Sequence, residues 1–249
     1  MRERSGGAPE ILLVRRHGRN AVAAGAFVFP GGLLDEQDYS GAALALSAGV
    51  DPDEAAATLG TAASRERALG HYLAAIRETF EEVGILLAHD RFGRSKAYRA
   101  GELSAARSGM RAGRFTFFQW LEEQGLRPAT AELSYFAHWI TPQAMARRFD
   151  TRFFLAEVQQ DAVAEPDQAE VVECRWITAC DALAAFRDRT LPMVNATIKN
   201  LELLAGFASV AQARERLRER RITAILPKAI AQGDGFRVVN PWEAGYETL

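Results

Sequence analysis

The sequence predicts an α/β fold of the α+β kind, with strands and helices sharing one domain across residues 1–249. Three observations carry that prediction. Short runs with strand-like patterning occur near the start and again after residue 130, residues 69–83 repeat their apolar positions at helical spacing, and helical spacing returns from Leu191 onward.

In chain order, Ile11 to Arg15 and Ala26 to Phe29 read as strands, joined by a loop rich in Gly, Asn and Arg. Residues 39–68 form an alanine-rich insertion, expected to be partly helical. Next, Leu69, Tyr72, Leu73, Ile76, Phe80 and Val83 fall on one stripe of a helix, the pattern of a face turned to a core, and Gly84 supplies its left-handed end. Residues 91–130 form a second helical insertion with two short helices. Its Phe115, Phe117, Phe118, Trp120 and Leu121 read as a packing face rather than a base-stacking platform. Leu133 to Ile140, Arg152 to Val158 and Val171 to Ile177 read as strands and Ala179 to Phe186 as a helix. Residues 191–249 read as a helical C-terminal extension in which Ile198, Leu201, Leu204 and Phe207 recur at helical spacing.

Composition narrows the function classes. With 249 residues, 48% of them apolar, the chain can bury a substantial core. A net charge of −2 with acids and bases interspersed gives no reason to expect a nucleic-acid duplex or an anionic membrane as partner. No apolar run approaches the roughly 20 residues that span a bilayer, and neither the opening Met1–Arg4 nor the closing Glu247–Leu249 reads as a targeting signal. A cytoplasmic location is expected. Two cysteines, Cys174 and Cys180, suit a reducing compartment, and Cys174 alternates with Val172 and Trp176 as plain strand core.

Chemistry concentrates in Arg77-Glu78-Thr79-Phe80-Glu81-Glu82-Val83-Gly84-Ile85. Glu78, Glu81 and Glu82 share little more than one turn, on the side of the helix opposite its apolar stripe, and Arg77 reaches Glu81 at i+4. On a solvated surface such like-charge pairs cost only about 0.2–0.5 kcal/mol each. In a water-excluded cleft, carboxylates roughly 6 Å apart at an effective dielectric of about 20 repel by nearer 3 kcal/mol, and a hard, oxygen-seeking cation reverses the sign. Gly70, Ala74 and Ala75, on the preceding turn of that face, favour the cleft: so small a surface leaves room for a segment packed over it. Upstream, Phe27-Val28-Phe29 breaks at Pro30, and Gly31 and Gly32 can then take unusual backbone angles that bring a carbonyl to a metal.

Together these residues resemble the Nudix hydrolase signature, with Gly32 as its first glycine, Asp38 where its first glutamate is usual, and Thr79 in place of an aliphatic residue. The 44 residues between Gly32 and Arg77 greatly exceed the usual spacing. With that insertion, His138-Trp139-Ile140-Thr141-Pro142 and Arg147-Arg148-Phe149-Asp150-Thr151 resemble the Nudix branch that includes a peroxisomal coenzyme A diphosphatase. The resemblance implies a mixed β-sheet sandwiched between helices and a nucleotide substrate cleaved at its diphosphate with Mg²⁺ or Mn²⁺. It also implies Glu78 and Glu82 as metal ligands, with Glu81 and a Gly31 or Gly32 carbonyl beside them. Glu78, Glu81 and Arg77 are the catalytic candidates, with Arg77 orienting a glutamate. The base is Glu78 or a later acid such as Glu170, although Glu170 sits with Asp167 in what reads as a solvated loop. Arg148 is a candidate phosphate clamp, weighed against a salt bridge at the start of the next strand. A pattern of coenzyme A Nudix enzymes is partly met by Leu12, Leu13, Arg16 and Gly25–Gly32, with Arg16 as a substrate-binding candidate and Ala21 standing where an arginine is expected. Nucleoside diphosphate sugars, dinucleotides, oxidised nucleotides and a non-hydrolysing nucleotide-binding module remain alternatives. The fold ordinarily opens with a full strand, which is clipped here, so another segment of the chain or a homodimer partner is expected to cover the bare edge.

Overall fold

The structure is a computed structural model that describes residues 1–19, 23–60, 64–232 and 235–248. In chain order it contains β1 (Glu10–Arg16), β2 (Phe27–Val28), α1 (Gly41–Leu46), α2 (Pro52–Leu59), α3 (Arg65–Val83), β3 (Ala88–Asp90), α4 (Glu102–Arg111) and α5 (Phe117–Gln124). There follow β4 (Leu126–Pro128), β5 (Ser134–Ile140), β6 (Asp150–Leu155), β7 (Val171–Thr178), α6 (Ala179–Arg187), α7 (Asn195–Leu204), α8 (Val210–Arg218), β8 (Lys228–Gln232) and β9 (Gly235–Val239).

The sheet β2-β1-β7 is antiparallel and has β1 at its centre. Successive side chains of a strand point to opposite faces. Leu12 and Val14 accordingly enter one hydrophobic core with α3, while Ile11 and Leu13 enter another with α6, α7 and α8. A sheet covered by helices on both faces is the expected architecture. Parallel bridges Phe27–Met193 and Trp139–Ile225 make the strand pairing mixed. Each insertion contributes two helices, and the second, expected to be helical, also carries strand β4, paired with β3. The first contributes α1 and α2, with its last residues already in the opening turn of α3; the second contributes α4 and α5. Phe117, Phe118, Trp120 and Leu121 are buried, and Trp120 stacks on Phe80 of α3 at 5.1 Å between centroids. The aromatic face therefore packs.

Three expectations are corrected. The strand at 26–29 shrinks to Phe27–Val28, because Pro30 ends the ladder. The strand expected at 152–158 runs from Asp150 to Leu155, and beyond it the Ala156 carbonyl accepts from the Met1 amine at 2.7 Å. Residues 191–249 are not helical throughout: after α8 the chain passes Pro227 and folds back as the β8–β9 hairpin, where Ile230, Val238 and Val239 suit strands. The edge expected to need cover is met from within the chain, by Arg2 bridging Glu10 and by the Phe27 N–H donating to the Pro192 carbonyl at 2.8 Å. Ala21 lies outside the described residues. No helix among the described residues is long and apolar enough to cross a membrane.

Candidate active site

Helix α3 is delimited by local chemistry. The Ser64 side chain accepts from the Arg67 N–H at its start, and Gly84 takes φ 75° at its end, a left-handed angle that costs glycine nothing. Leu69, Leu73, Ile76, Phe80 and Val83 are buried in the core. The outer surface divides into two stripes with different tasks.

One stripe, Gly70, Ala74 and Arg77, lies beneath the segment from Leu33 to Tyr39. A Cβ on Gly70 would stand 3.2 Å from Leu34 Cδ1 and 3.2 Å from Tyr39 Cβ, so the small residues accommodate a covering segment. That segment brings Asp38, fully buried, onto Arg77, itself only 4% exposed. Arg77 Nε and Nη2 donate to the two Asp38 carboxylate oxygens at 2.7 and 2.9 Å, and Nη2 also donates to the Leu33 carbonyl at 3.0 Å. Nη1 is 2.8 Å from a Glu78 oxygen and 3.0 Å from a Glu81 oxygen. Arg77 is therefore no surface i,i+4 partner but a buried hub that fixes Glu78 and Glu81. Burial opposes its charge, but the Asp38 bond and the charges of Glu78 and Glu81 hold it protonated.

The other stripe carries Glu78 and Glu82 under the glycine bend. The Gly31 N–H, in a residue with φ 144°, donates to a Glu82 carboxylate oxygen at 2.9 Å. A Cβ on Gly32 would fall 2.5 Å from the Glu78 carboxylate, so only glycine leaves that carboxylate its position. What reaches the glutamates is thus the Gly31 N–H and the space at Gly32. Glu82 is 4% exposed, as the cleft reading expects and a solvated face would not allow. Burial pushes the Glu82 carboxyl up to about 8, opposed by the Gly31 bond and reinforced by the charge of Glu78. Burial pushes Glu78 up to about 7 against the pull of Arg77, and burial also raises Glu81. A buried and a half-buried carboxyl that resist ionisation beside each other, both hard oxygen donors, fit a divalent cation. Among the described residues no three acid, imidazole or thiol side chains are gathered at ligand spacing, and Glu81 is engaged by Arg77 instead.

Residues 5–203 match the family model of the NUDT19 Nudix domain. The chain belongs to the Nudix hydrolases, in the NUDT19 branch. It is 26% identical to the acyl-coenzyme A diphosphatase NUDT19 of Gallus gallus, over 95% of this chain and 72% of that one. It is likewise 26% identical to the acyl-coenzyme A diphosphatase NUDT19 of Homo sapiens, over 95% of this chain and 72% of the relative. The crystal structure of a Nudix hydrolase from Alicyclobacillus acidocaldarius superposes with TM-score 0.72 at 26% identity, covering 86% of this chain and 91% of that one. As a Nudix hydrolase the chain is an enzyme of the pyrophosphohydrolase class, and enzymes of this family generally require a divalent metal.

The remaining Nudix-site candidates are placed unevenly. Arg16, at the end of β1, contributes a charge that lowers the Glu82 carboxyl, and its Nε is buried without a hydrogen-bond partner. Glu170 acts on Glu82 in the opposite sense, from the loop before β7. Arg148 donates instead to the Thr141 carbonyl at 3.1 Å within its own exposed loop. Asp150 bonds His138 and lies 3.4 Å from Arg152. Sequence reading missed Arg107 of α4. Buried to 4% exposure, it donates to the Glu81 carbonyl at 3.0 Å and the Glu82 carbonyl at 2.7 Å, capping the Nudix helix where carbonyls lack helical partners. The second insertion thereby steadies the glutamates, and an arginine on an amphipathic helix gives no local sign of it.

Proposed function

We propose that this Nudix hydrolase cleaves the diphosphate of coenzyme A or its acyl esters, releasing adenosine 3′,5′-bisphosphate and the 4′-phosphopantetheine portion, with Mg²⁺ or Mn²⁺ as cofactor. The observation that carries this reading is the pair of buried Glu82 and half-buried Glu78 set against the Gly31–Gly32 bend. The names of relatives aligned along 95% of the chain support coenzyme A as the substrate.

A bound divalent ion polarises phosphoryl oxygens and acidifies a coordinated water. Glu78 and Glu82 would hold it, a backbone carbonyl of Gly31 or Gly32 would add an oxygen, and Glu81 would serve as a ligand only by sharing its carboxylate with Arg77. Arg77 keeps the Glu78 and Glu81 side chains in one geometry, so positioning is settled before substrate arrives. Arg16 offers a cation to the diphosphate beside Glu82. The proton of the attacking water passes either to Glu78 itself or to Glu170 beside Glu82, and Glu170→Gln separates the two: it lowers kcat only in the second case.

Purified protein with Mg²⁺ or Mn²⁺ is to be offered coenzyme A, acyl-coenzyme A, NADH, ADP-ribose, ADP-glucose and oxidised dGTP, with Glu82→Gln as control. Coenzyme A or an acyl ester is expected to give the highest kcat/KM, with a loss of about 100-fold or more in the control. Faster turnover of a non-coenzyme A substrate would reassign the specificity, and tight binding without turnover would make the protein a binding module.

A further inference from the structure

A second polar site lies beside the N-terminal half of the Nudix helix, in a cavity of about 1070 Å³ lined by Tyr72, Ser134, His138, Arg152 and the exposed Arg220 and Arg221. Arg152 is the centre of this site. Its side chain is 8% exposed, Asp150 at 3.4 Å is its ion-pair partner, and its Nε has no hydrogen-bond partner. Ser134 Oγ, in the same lining, is likewise buried and unpartnered. Buried polar atoms without partners are rare and point to an absent ligand or water. Arg218 joins Arg220 and Arg221 in the lining against Glu54 as the acidic residue, so the cavity favours an anion. Its field is felt by His71 nearby: burial, then the charge of Arg152, lowers that imidazole to about 4.

Two elements tie this cavity to the glutamates. On α3, His71, Ala75, Glu78 and Glu82 lie on one stripe, and seven residues of helix rise about 10 Å. Ala75, between them, carries only a methyl group. On β6, Phe154 shares the face of Arg152 and packs against Tyr72 of α3 at 4.6 Å between ring centroids, holding Arg152 against the helix that carries the glutamates.

We propose that this cavity is a phosphomonoester subsite, in which Arg152, with Arg220 and Arg221 at the rim, binds the 3′-phosphate of the substrate's adenosine while Glu78 and Glu82 address the diphosphate. The inference rests on coenzyme A as substrate and adds the reason for preferring it: the dephosphorylated form and ordinary nucleoside diphosphates have no group for this site. A guanidinium binds a phosphate through charge-assisted hydrogen bonds.

Calorimetric titration with adenosine 3′,5′-bisphosphate and with AMP tests the site without requiring turnover. Wild-type protein should bind the bisphosphate about tenfold or more tightly than AMP. Arg152→Gln should erase that difference while leaving AMP affinity unchanged. The paired change Arg220→Ala with Arg221→Ala lies on the exposed rim, where folding is not at risk, and should reduce the difference. Equal affinity of wild-type protein for the two nucleotides, or a preference untouched by both variants, would overturn the proposal even if coenzyme A is hydrolysed. A preserved preference in a protein that does not hydrolyse coenzyme A would instead overturn the functional reading and leave the subsite standing.

Discussion

Asp38 grips Arg77 with both carboxylate oxygens, at 2.7 and 2.9 Å, across the long insertion that separates them in sequence. Asp38 is fully buried, so nothing in solvent can replace it once it is removed. Breaking a buried pair from one side leaves an uncompensated charge, typically at about 3–5 kcal/mol. Asp38→Ala should therefore lower unfolding stability by about that amount, read from urea denaturation, and should slow hydrolysis because Glu78 and Glu81 lose their fixed cation. An unchanged midpoint would mean that the pair contributes nothing to the fold.

Gly32 presents the opposite case, in which space matters more than bonding. Its missing Cβ would lie 2.5 Å from the Glu78 carboxylate, the far end of a flexible side chain that can move aside. Gly32→Ala is expected to change stability by no more than about 1 kcal/mol. It should cost roughly 100-fold in rate by displacing a carboxylate from its working position. Thermal melts and kcat/KM on the same preparation check both halves; a normal rate would show that the carboxylate position is not critical.

Raised carboxyls make stability depend on pH in a definite direction. With Glu78 at about 7 and Glu82 at about 8 in the folded chain against an ordinary 4.5, the folded state holds more protons than the unfolded state between those values. The stability associated with these groups is complete below about 4.5 and is lost as pH rises through about 8. A divalent cation should offset the loss, so Mg²⁺ should raise the melting temperature more at pH 8.5 than at pH 5. Equal shifts at both pH values would contradict the assignment of these two acids as its ligands.

What could be read in advance was what is local. The stripe from Leu69 to Val83 gave α3, the small residues Gly70 and Ala74 gave a covering segment, and Pro30 with its glycines gave the bend. Contacts made across long stretches of chain were hidden. That Asp38 closes on Arg77 and that Arg107 caps the glutamate helix depend on how the two insertions fold back, which no periodicity encodes. The β8–β9 hairpin was obscured because the helical spacing of α7 was extended past Pro227, where the pattern changes to one suited to strands. A helical wheel gives Glu82 only its direction, away from the apolar stripe; the cleft that the small residues suggested is closed over it by the Gly31 bend.

The most direct test of the central claim is Mn²⁺ binding, followed by electron paramagnetic resonance, in wild-type protein, Glu78→Gln and Glu82→Gln, with hydrolysis measured alongside. Affinity for the ion and turnover should fall together in both variants, by about tenfold or more for the ion. Wild-type Mn²⁺ affinity and full hydrolysis in Glu82→Gln would contradict a metal held between these two glutamates beneath the Gly31–Gly32 bend.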